Sequence, residues 1–516
     1  MKQNRYESDY SFLLRPRAKH RVLEANNELK LKGNAMQFLL VLNILGFLYL
    51  SLALTMIFPL VVSFIYEDGC ASAFLYSIVI TALFGGFLYW TFPSKKKELS
   101  HRDGFSIVTL GWSTVALFGC LPFIFSGSIT SFTNAYFETM SGFTTTGATI
   151  CLSIEQLPQS ILFWRGLIQW LGGMGIILFS IAILPLLGVG GMELYKAEVP
   201  GPTPDKIKPR ITETARTLWK VYLLISLLEV LLLCAGGMNL FDSLCHTFTT
   251  LATGGFSTKN ISIEYYHSSY FEIVLIVFML LAGINFALHY RLLLGNIKDV
   301  WKSSELRFFL SVFLIASLII AINLRLNLFD SLASSLRHAS FQVASIITTT
   351  GYSSKNFGEW PALSQYLLLV LMFIGGCTGS TGGSIKCFRI MLLLKQGYRE
   401  LYRMIHPHAV VPLKLAGKSV PTGIMEGVGA FFFLYFFLFA ISSIIMTLLG
   451  LDLITAISSV AACIGNVGPG LAAVGPAENY HHLPLLGKWL LTFCMLLGRL
   501  EIYTVIVLFI PEFWKK

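Results

Sequence analysis

The sequence predicts an all-α polytopic membrane protein: four tandem helix–pore loop–helix repeats around one pore, preceded by an N-terminal two-helix hairpin, with about ten transmembrane spans. Three observations predict it. The chain is 55% hydrophobic and only 13% charged, with a mean hydropathy of +0.69, far from a soluble domain. Four short stretches rich in Thr and Gly recur along it, and their shared glycines Gly147, Gly255, Gly351 and Gly468 stand 108, 96 and 117 residues apart, the mark of an internal repeat. Lys and Arg collect in alternate loops, which fixes a consistent orientation.

Taken in order, residues 1–36 are polar and basic with no early apolar core, so no cleavable signal peptide is read there and the segment is expected in the cytosol. Residues 37–97 form the hairpin: Phe38 to Tyr66 and Ala71 to Phe92 are each long enough to span about 30 Å of hydrocarbon, joined by Glu67-Asp68-Gly69. Lys95-Lys96-Lys97 marks the return to the cytosol.

Repeat 1 covers 98–195. An apolar span, Phe105 to Phe125, leads to Asn134 to Thr146, whose roughly 18 Å of helix is too short to cross. It fits a helix that descends partway and returns as the Thr-Gly loop, its C-terminal end turned toward a cation. Ile161 to Leu187 closes the unit, with Gly172-Gly173-Met174-Gly175 read as close helix packing. Repeat 2 (196–300) has Leu218 to Gly236, Asp242 to Gly255 and Phe271 to Leu294. Repeat 3 (301–420) has Phe308 to Ala321, His338 to Gly351 and Leu367 to about Leu394, and repeat 4 (421–516) has Val428 to Gly450, Thr455 to Gly468 and Trp489 to Ile510. Counting back 13 residues from each glycine places the helix starts at Asn134, Asp242, His338 and Thr455, all but the histidine being favoured N-caps. Asn-Leu-Phe-Asp-Ser-Leu occurs at 239–244 and again at 327–332, either by coincidence or because unit three carries an insertion.

The candidate binding residues are those of the four loops: Thr145, Thr146, Gly147 and Ala148; Thr253, Gly254, Gly255 and Phe256; Thr349, Thr350, Gly351 and Tyr352; Asn466, Val467, Gly468 and Pro469. Glycine reaches backbone angles closed to other residues, so runs of carbonyls can be turned one way. Four such runs around an axis would replace the hydration shell of a monovalent cation, the chemistry of a K⁺ filter. A single Thr/Gly run could equally be a helix-packing surface; four at this spacing favour the pore.

Two features break the repeat. In unit three the closing span is interrupted by Gly375-Gly376-Cys377-Thr378-Gly379-Ser380-Thr381-Gly382-Gly383-Ser384, a composition no helix survives unaided. Unwound backbone at that depth must face protein or a cavity, so it is placed beneath the loops as a movable constriction, the alternative being a helix break for packing. It is not a phosphate loop, since no Gly-Lys-Ser/Thr follows. Arg499 lies in the last span, where a guanidinium is costly. It could donate to carbonyls of the glycine loop, or pair with Glu501 or another carboxylate. Lys386 either shares that role or snorkels to the interface.

The loops, the glycine segment and Gly498-Arg499-Leu500-Glu501 together resemble the Trk/Ktr/HKT superfamily of cation transporters, over nearly the whole chain, and the length and extra hairpin resemble its longer bacterial K⁺-uptake members. The resemblance implies K⁺ uptake across the bacterial inner membrane and a homodimer with a pore in each chain. It also implies gating by a cytosolic nucleotide-binding subunit of the TrkA type. By position it makes Gly147, Gly255, Gly351 and Gly468 the filter glycines, Gly375 to Ser384 the gate and Arg499 its neighbour. Gly147, where some plant relatives that pass sodium carry Ser, favours K⁺, whereas the fourth loop departs most from a Thr-Val-Gly pattern. Na⁺ permeation, or K⁺ symport coupled to H⁺ or Na⁺, stays open.

No cofactor is implied beyond K⁺ as the transported ion. The nine cysteines show no CxxC; only Cys70 and Cys151 are placed at the outer surface, with no bridge expected between them. The net charge of +10 is accounted for by cytosolic loops at a lipid surface, so no nucleic-acid partner is implied. No histidine sits in a nucleophile–base arrangement, which argues against an enzyme, and a secondary transporter for another solute would not need four such loops.

Overall fold

The structure is a computed structural model that describes residues 37–92, 100–182, 211–415 and 418–515. The expectations for residues 1–36, for Lys95-Lys96-Lys97 and for the end of the first closing span lie outside the described residues.

The N-terminal hairpin is α1 (Phe38–Thr55), α2 (Ile57–Tyr66) and α3 (Ala71–Thr91). Gly46 and Gly85 let α1 and α3 touch backbone to backbone: a Cβ added at Gly46 would stand 2.8 Å from the Gly85 carbonyl oxygen, and one at Gly85 3.0 Å from that of Gly46. At the turn after α2, Asp68 accepts bonds from Ser63 Oγ (2.5 Å), the Cys70 amide (3.1 Å) and the Ser160 amide (2.8 Å). Burial works to raise its pKa, but the hydrogen bonds from Ser160, Ser63 and Cys70 outweigh it and hold the carboxyl below its ordinary value. The hairpin is thereby pinned to the first repeat.

Repeat 1 follows as α4 (His101–Gly119), opened by a Ser100/Asp103 capping box, then α5 (Leu121–Phe125), α6 (Phe132–Phe143) and α7 (Gln159–Ala182). Repeat 2 is α8 (Ile211–Ala235), α9 (Leu240–Leu251), α10 (Ser269–Gly283) and α11 (Phe286–Leu293), with α12 (Ile297–Trp301) leading onward. Repeat 3 is α13 (Ser304–Asn327), α14 (Leu332–Ile347), α15 (Ala362–Ile374) and α16 (Cys387–Ile405). A two-residue hairpin, β1 (Lys414–Leu415) with β2 (Lys418–Ser419), is the only strand structure among the described residues. Repeat 4 is α17 (Thr422–Leu448), α18 (Leu453–Ile464), α19 (Leu485–Arg499) and α20 (Tyr503–Ile506), and α21 (Pro511–Trp514) ends the chain.

Among the described residues six helices are long and apolar enough to cross a membrane, or eight if each of two sharply bent pairs is one span. The bends correct the expectation of straight closing spans: Phe271 to Leu294 turns through 104° after Gly283, and Trp489 to Ile510 through 112° after Arg499. Neither site carries a Gly/Pro cluster. The first bend is held by tertiary bonds instead, Gly283 giving its carbonyl to the Cys377 amide (2.8 Å) and Phe286 its amide to the Gly379 carbonyl (3.1 Å).

The helix starts also differ. The N-caps of α6, α9 and α18 are Ser131, Asn239 and Asp452, each 16 residues before its glycine, three earlier than the sequence count. The loops are longer than expected, because three residues stand between each helix end and its glycine rather than none. Asn239 and Asp452 accept the amides of Asp242 and Thr455, so the acid in unit two is an N-terminal-turn residue and not the cap. His338 lies well inside α14, which begins after Ser331 and is 16 residues long where α6, α9 and α18 are 12. Unit three thus carries an extra helical turn, and the second Asn-Leu-Phe-Asp-Ser-Leu straddles the α13–α14 junction instead of opening the helix as the first does. The largest apolar cluster runs through all four repeats and one end of the hairpin, beside two smaller ones, between α16 and the start of α17 and between α1, α3 and α4. Cys70 and Cys151 are buried, not exposed, and all nine cysteines are free thiols.

Candidate functional site

Each short helix ends in the same turn. The amides of Thr145, Thr253, Thr349 and Asn466 bond the carbonyl three residues back, and those of Thr146, Gly254, Thr350 and Val467 the carbonyl five back. This is a Schellman-type C-cap, normally built on glycine. Here the left-handed residue is Thr145 (φ 51°), Thr253 (53°), Thr349 (62°) or Asn466 (53°), a conformation costly for such side chains. Two residues on, Gly147, Gly255, Gly351 and Gly468 have φ of 82°, 72°, 83° and 99°.

The four turns close on one another. A Cβ on Gly147 would meet the Gly254 carbonyl oxygen at 2.1 Å, one on Gly255 that of Thr350 at 1.9 Å, one on Gly351 that of Val467 at 2.2 Å, and one on Gly468 that of Thr146 at 2.6 Å. Each glycine therefore abuts the residue preceding the glycine of the next unit, in the cyclic order one, two, three, four, one. All four glycines line one cavity of about 70 Å³, together with Ala148, Phe256 and Pro469. The four glycines that meet in this way are those whose spacing marked the repeat in the sequence.

Behind the ring are residues that the sequence did not point to. Arg165 and Glu138, on α7 and α6, are 1% and 0% exposed and pair at 2.9 Å. Arg165 also donates to the Ser257 carbonyl (3.1 Å) and Thr149 Oγ1 (3.2 Å) and lies 4.2 Å over the Phe256 ring, while Glu138 accepts from the Ile150 amide at 2.8 Å. One buried pair thus fastens the first loop to the second. Gln169 donates to the Gly254 carbonyl (2.7 Å) and accepts from the Phe256 amide (3.1 Å), gripping the second loop from both sides. Tyr352 puts its hydroxyl on α9, bonding Thr249 and the His246 carbonyl. Asn466 bonds Thr146 Oγ1 (3.0 Å) and the Met495 carbonyl (2.9 Å). Only a buried Arg and Glu in apolar surroundings could have signalled any of these, since each partner is distant in the chain.

The glycine segment between α15 and α16 is non-helical and packs against the helix ends that carry the ring. Gly383 donates its amide to Thr349 Oγ1 (2.7 Å), and Thr381 Oγ1 donates to the Leu251 carbonyl (2.9 Å). A Cβ on Gly383 would lie 2.4 Å from the Gly465 carbonyl oxygen and one on Gly382 3.0 Å from that of Thr348. Thr378 donates its amide to Glu305 (2.6 Å), Ser380 Oγ to the Cys377 carbonyl (2.6 Å) and Ser384 Oγ to the Met372 carbonyl (2.7 Å). At Gly375 (φ 74°) and Gly379 (φ 78°) the backbone is left-handed.

Arg499 is 2% exposed and reaches this segment: Nη1 donates to the Thr381 carbonyl (2.7 Å) and Nη2 to the Gly172 carbonyl (3.1 Å). Glu501 pairs with Arg389 at 2.6 Å instead. Lys386 is buried and donates to the Gly382 carbonyl, so it does not snorkel. Gly172 and Gly173 are close-packing points as expected, against Phe143 and Ala252. No group of three or more His, Cys, Asp or Glu side chains suited to a metal occurs among the described residues.

Helices long enough to cross a membrane, with four turns closing on one another around a small cavity, define a multi-pass membrane protein. Residues 71–516 match the TrkH family, described as cation transport proteins. The chain belongs to this family and is a transporter, not an enzyme. It is 44% identical over 485 residues to the Trk system potassium uptake protein TrkH of Salmonella typhimurium, covering 93% of this chain and 100% of that one. It is 36% identical over 480 residues to TrkG of Escherichia coli, covering 92% and 98%. The crystal structure of the potassium transporter TrkH from Vibrio parahaemolyticus superposes with a TM-score of 0.87 at 38% identity, over 93% of this chain and 100% of that one.

Proposed function

We propose that the protein takes up K⁺ through the ring of loop carbonyls, with Thr145 to Ala148, Thr253 to Phe256, Thr349 to Tyr352 and Asn466 to Pro469 as its selectivity filter. The observation that carries this reading is the cyclic contact of each filter glycine with the next unit's carbonyl. That contact gives oxygen ligands from four sides and leaves no room for a side chain. The names of the relatives support K⁺ as the ion. The repeats run 98–195, 196–300, 301–420 and 421–516, behind the 37–97 hairpin.

Gly375 to Ser384 is the gate, held beneath the filter by Arg499 and Lys386. The word system in the relatives' names supports a further component, and a cytosolic nucleotide-binding subunit of the TrkA type would act on this gate. A homodimer in the bacterial inner membrane, with both termini cytosolic, completes the reading.

The test is K⁺ and Na⁺ flux into vesicles holding the purified protein, beside Gly147→Ser. The added side chain would push the Gly254 carbonyl, 2.1 Å from its Cβ, out of the ring. K⁺-preferring flux that loses its preference in the variant is expected. Absence of monovalent-cation flux, with or without the regulatory subunit, overturns the reading.

A further inference from the structure

The hairpin helix α1 takes no part in the ring, yet with α4, α6 and α7 it lines an open-sided cavity of about 400 Å³, within the range of ligand pockets at roughly 300–1,000 Å³. Its walls are apolar, among them Leu48, Leu52, Val108 and Val115, with Phe143 at one end. The two hydroxyls in the lining are already used: Ser51 donates to the Phe47 carbonyl (2.9 Å) and Thr55 to the Leu52 carbonyl (2.7 Å). Water needs two to four polar partners to occupy such a space, and these walls do not supply them. Two of the helices around it, α1 and α4, belong to spans long and apolar enough to cross hydrocarbon, so the medium available to fill it is hydrocarbon as well.

The cavity also reaches the machinery described above. Phe143 is the last residue of α6, directly before the first loop, and Gly172 gives its carbonyl to Arg499. These two meet so closely that a Cβ on Gly172 would stand 2.0 Å from the Phe143 carbonyl oxygen. Trp112, in the same wall, has its ring 6.0 Å from the Arg499 guanidinium.

We propose that this cavity binds one acyl chain of a membrane phospholipid, which braces Gly172 and Phe143 and so steadies the carbonyl that holds Arg499. Binding stands on the cavity alone; the bracing half rests on the gating reading above. An acyl chain fits where a polar headgroup does not, because the lining carries no charged side chain and no more than the indole N–H of Trp112 as a donor beside the two hydroxyls already used. The hairpin thereby gains a purpose that the four repeats do not give it.

The test uses the full chain in vesicles of phosphatidylethanolamine and phosphatidylglycerol whose acyl chains carry mid-chain bromine, which quenches tryptophan fluorescence on contact. Trp112→Phe isolates the Trp112 share of the quenched signal. Val115→Phe and Ser51→Leu, on different helices, each fill the cavity, and unchanged quenching of the remaining tryptophans shows that each variant has folded. Loss of the Trp112 share in both filled variants is expected. A Trp112 share that persists in them means contact with bulk lipid only, and no Trp112 share in the parent means a cavity closed to lipid; either overturns binding. K⁺ flux should change with acyl-chain length in the parent and not in the filled variants. Flux that ignores chain length in the parent, with quenching as expected, overturns the bracing half alone.

Discussion

Replacing Arg499 by alanine removes the two bonds by which α19 holds the glycine segment to α7. Hydrogen bonds to a charged group contribute roughly 1.5–3 kcal/mol each, so the pair amounts to about 3–6 kcal/mol of contact between Thr381, Gly172 and the guanidinium. The segment does not come loose altogether, because Thr381 Oγ1 still bonds the Leu251 carbonyl and Gly383 still bonds Thr349. The fold should therefore survive. Every ~1.4 kcal/mol of bias lost from the closed arrangement is tenfold in its equilibrium, so a quarter of the lost contact raises basal flux roughly 3- to 12-fold. Removing the positive charge beneath the ring lowers the barrier to a cation further. Arg499→Lys keeps the charge but not the planar fork that serves two carbonyls at once, and should fall between the two. The assay is K⁺ flux into vesicles without the cytosolic subunit, at matched amounts of protein whose melting is unchanged. Alanine flux at or below the parent's, in folded protein, would refute the assignment of Arg499 as a clasp on the gate.

Three further outcomes are expected. Glu138→Gln and Arg165→Met each leave one charge of a buried pair uncompensated, at about 3–5 kcal/mol; thermal unfolding should show both singles well below the parent and the double variant recovering part of the loss. Gln169→Leu gives up two bonds to the second loop, each about 1 kcal/mol, and should lower K⁺ over Na⁺ preference in flux assays with little effect on melting. At Asp68 the carboxyl is held below its ordinary pKa, so its contribution is fully present above the ordinary carboxylate value and is lost as pH falls through the lowered one. The melting difference between the parent and Asp68→Asn should close as the medium is acidified through that range, and a difference that stays constant would contradict the assignment.

What the sequence made legible has a common physical cause. Gly147, Gly255, Gly351 and Gly468 each need positive φ and each face another unit's carbonyl within 2.6 Å of where a Cβ would be, so the demand for glycine is written at a single position and repeats with the unit. The glycine segment was legible for the same reason, since its composition cannot continue a helix. Other parts depend on pairs that the chain brings together only when folded. Glu138 and Arg165 are 27 residues apart and Gln169 and Gly254 are 85, and no spacing rule links them.

The left-handed Thr145, Thr253, Thr349 and Asn466 escape notice because the Schellman turn that holds them is usually marked by glycine, and here glycine comes two residues later. The bends after Gly283 and Arg499 escape for a related reason: the broken helical bonds at the first are remade with Cys377 and Gly379, over ninety residues away. The turns are local, but the contacts made by Arg165 with Ser257, Gln169 with Gly254 and Gly283 with Cys377 join one repeat to another or to the glycine segment. Sequence periodicity describes what each unit shares with the others, and the contacts that turn four units into one ring belong to no single unit.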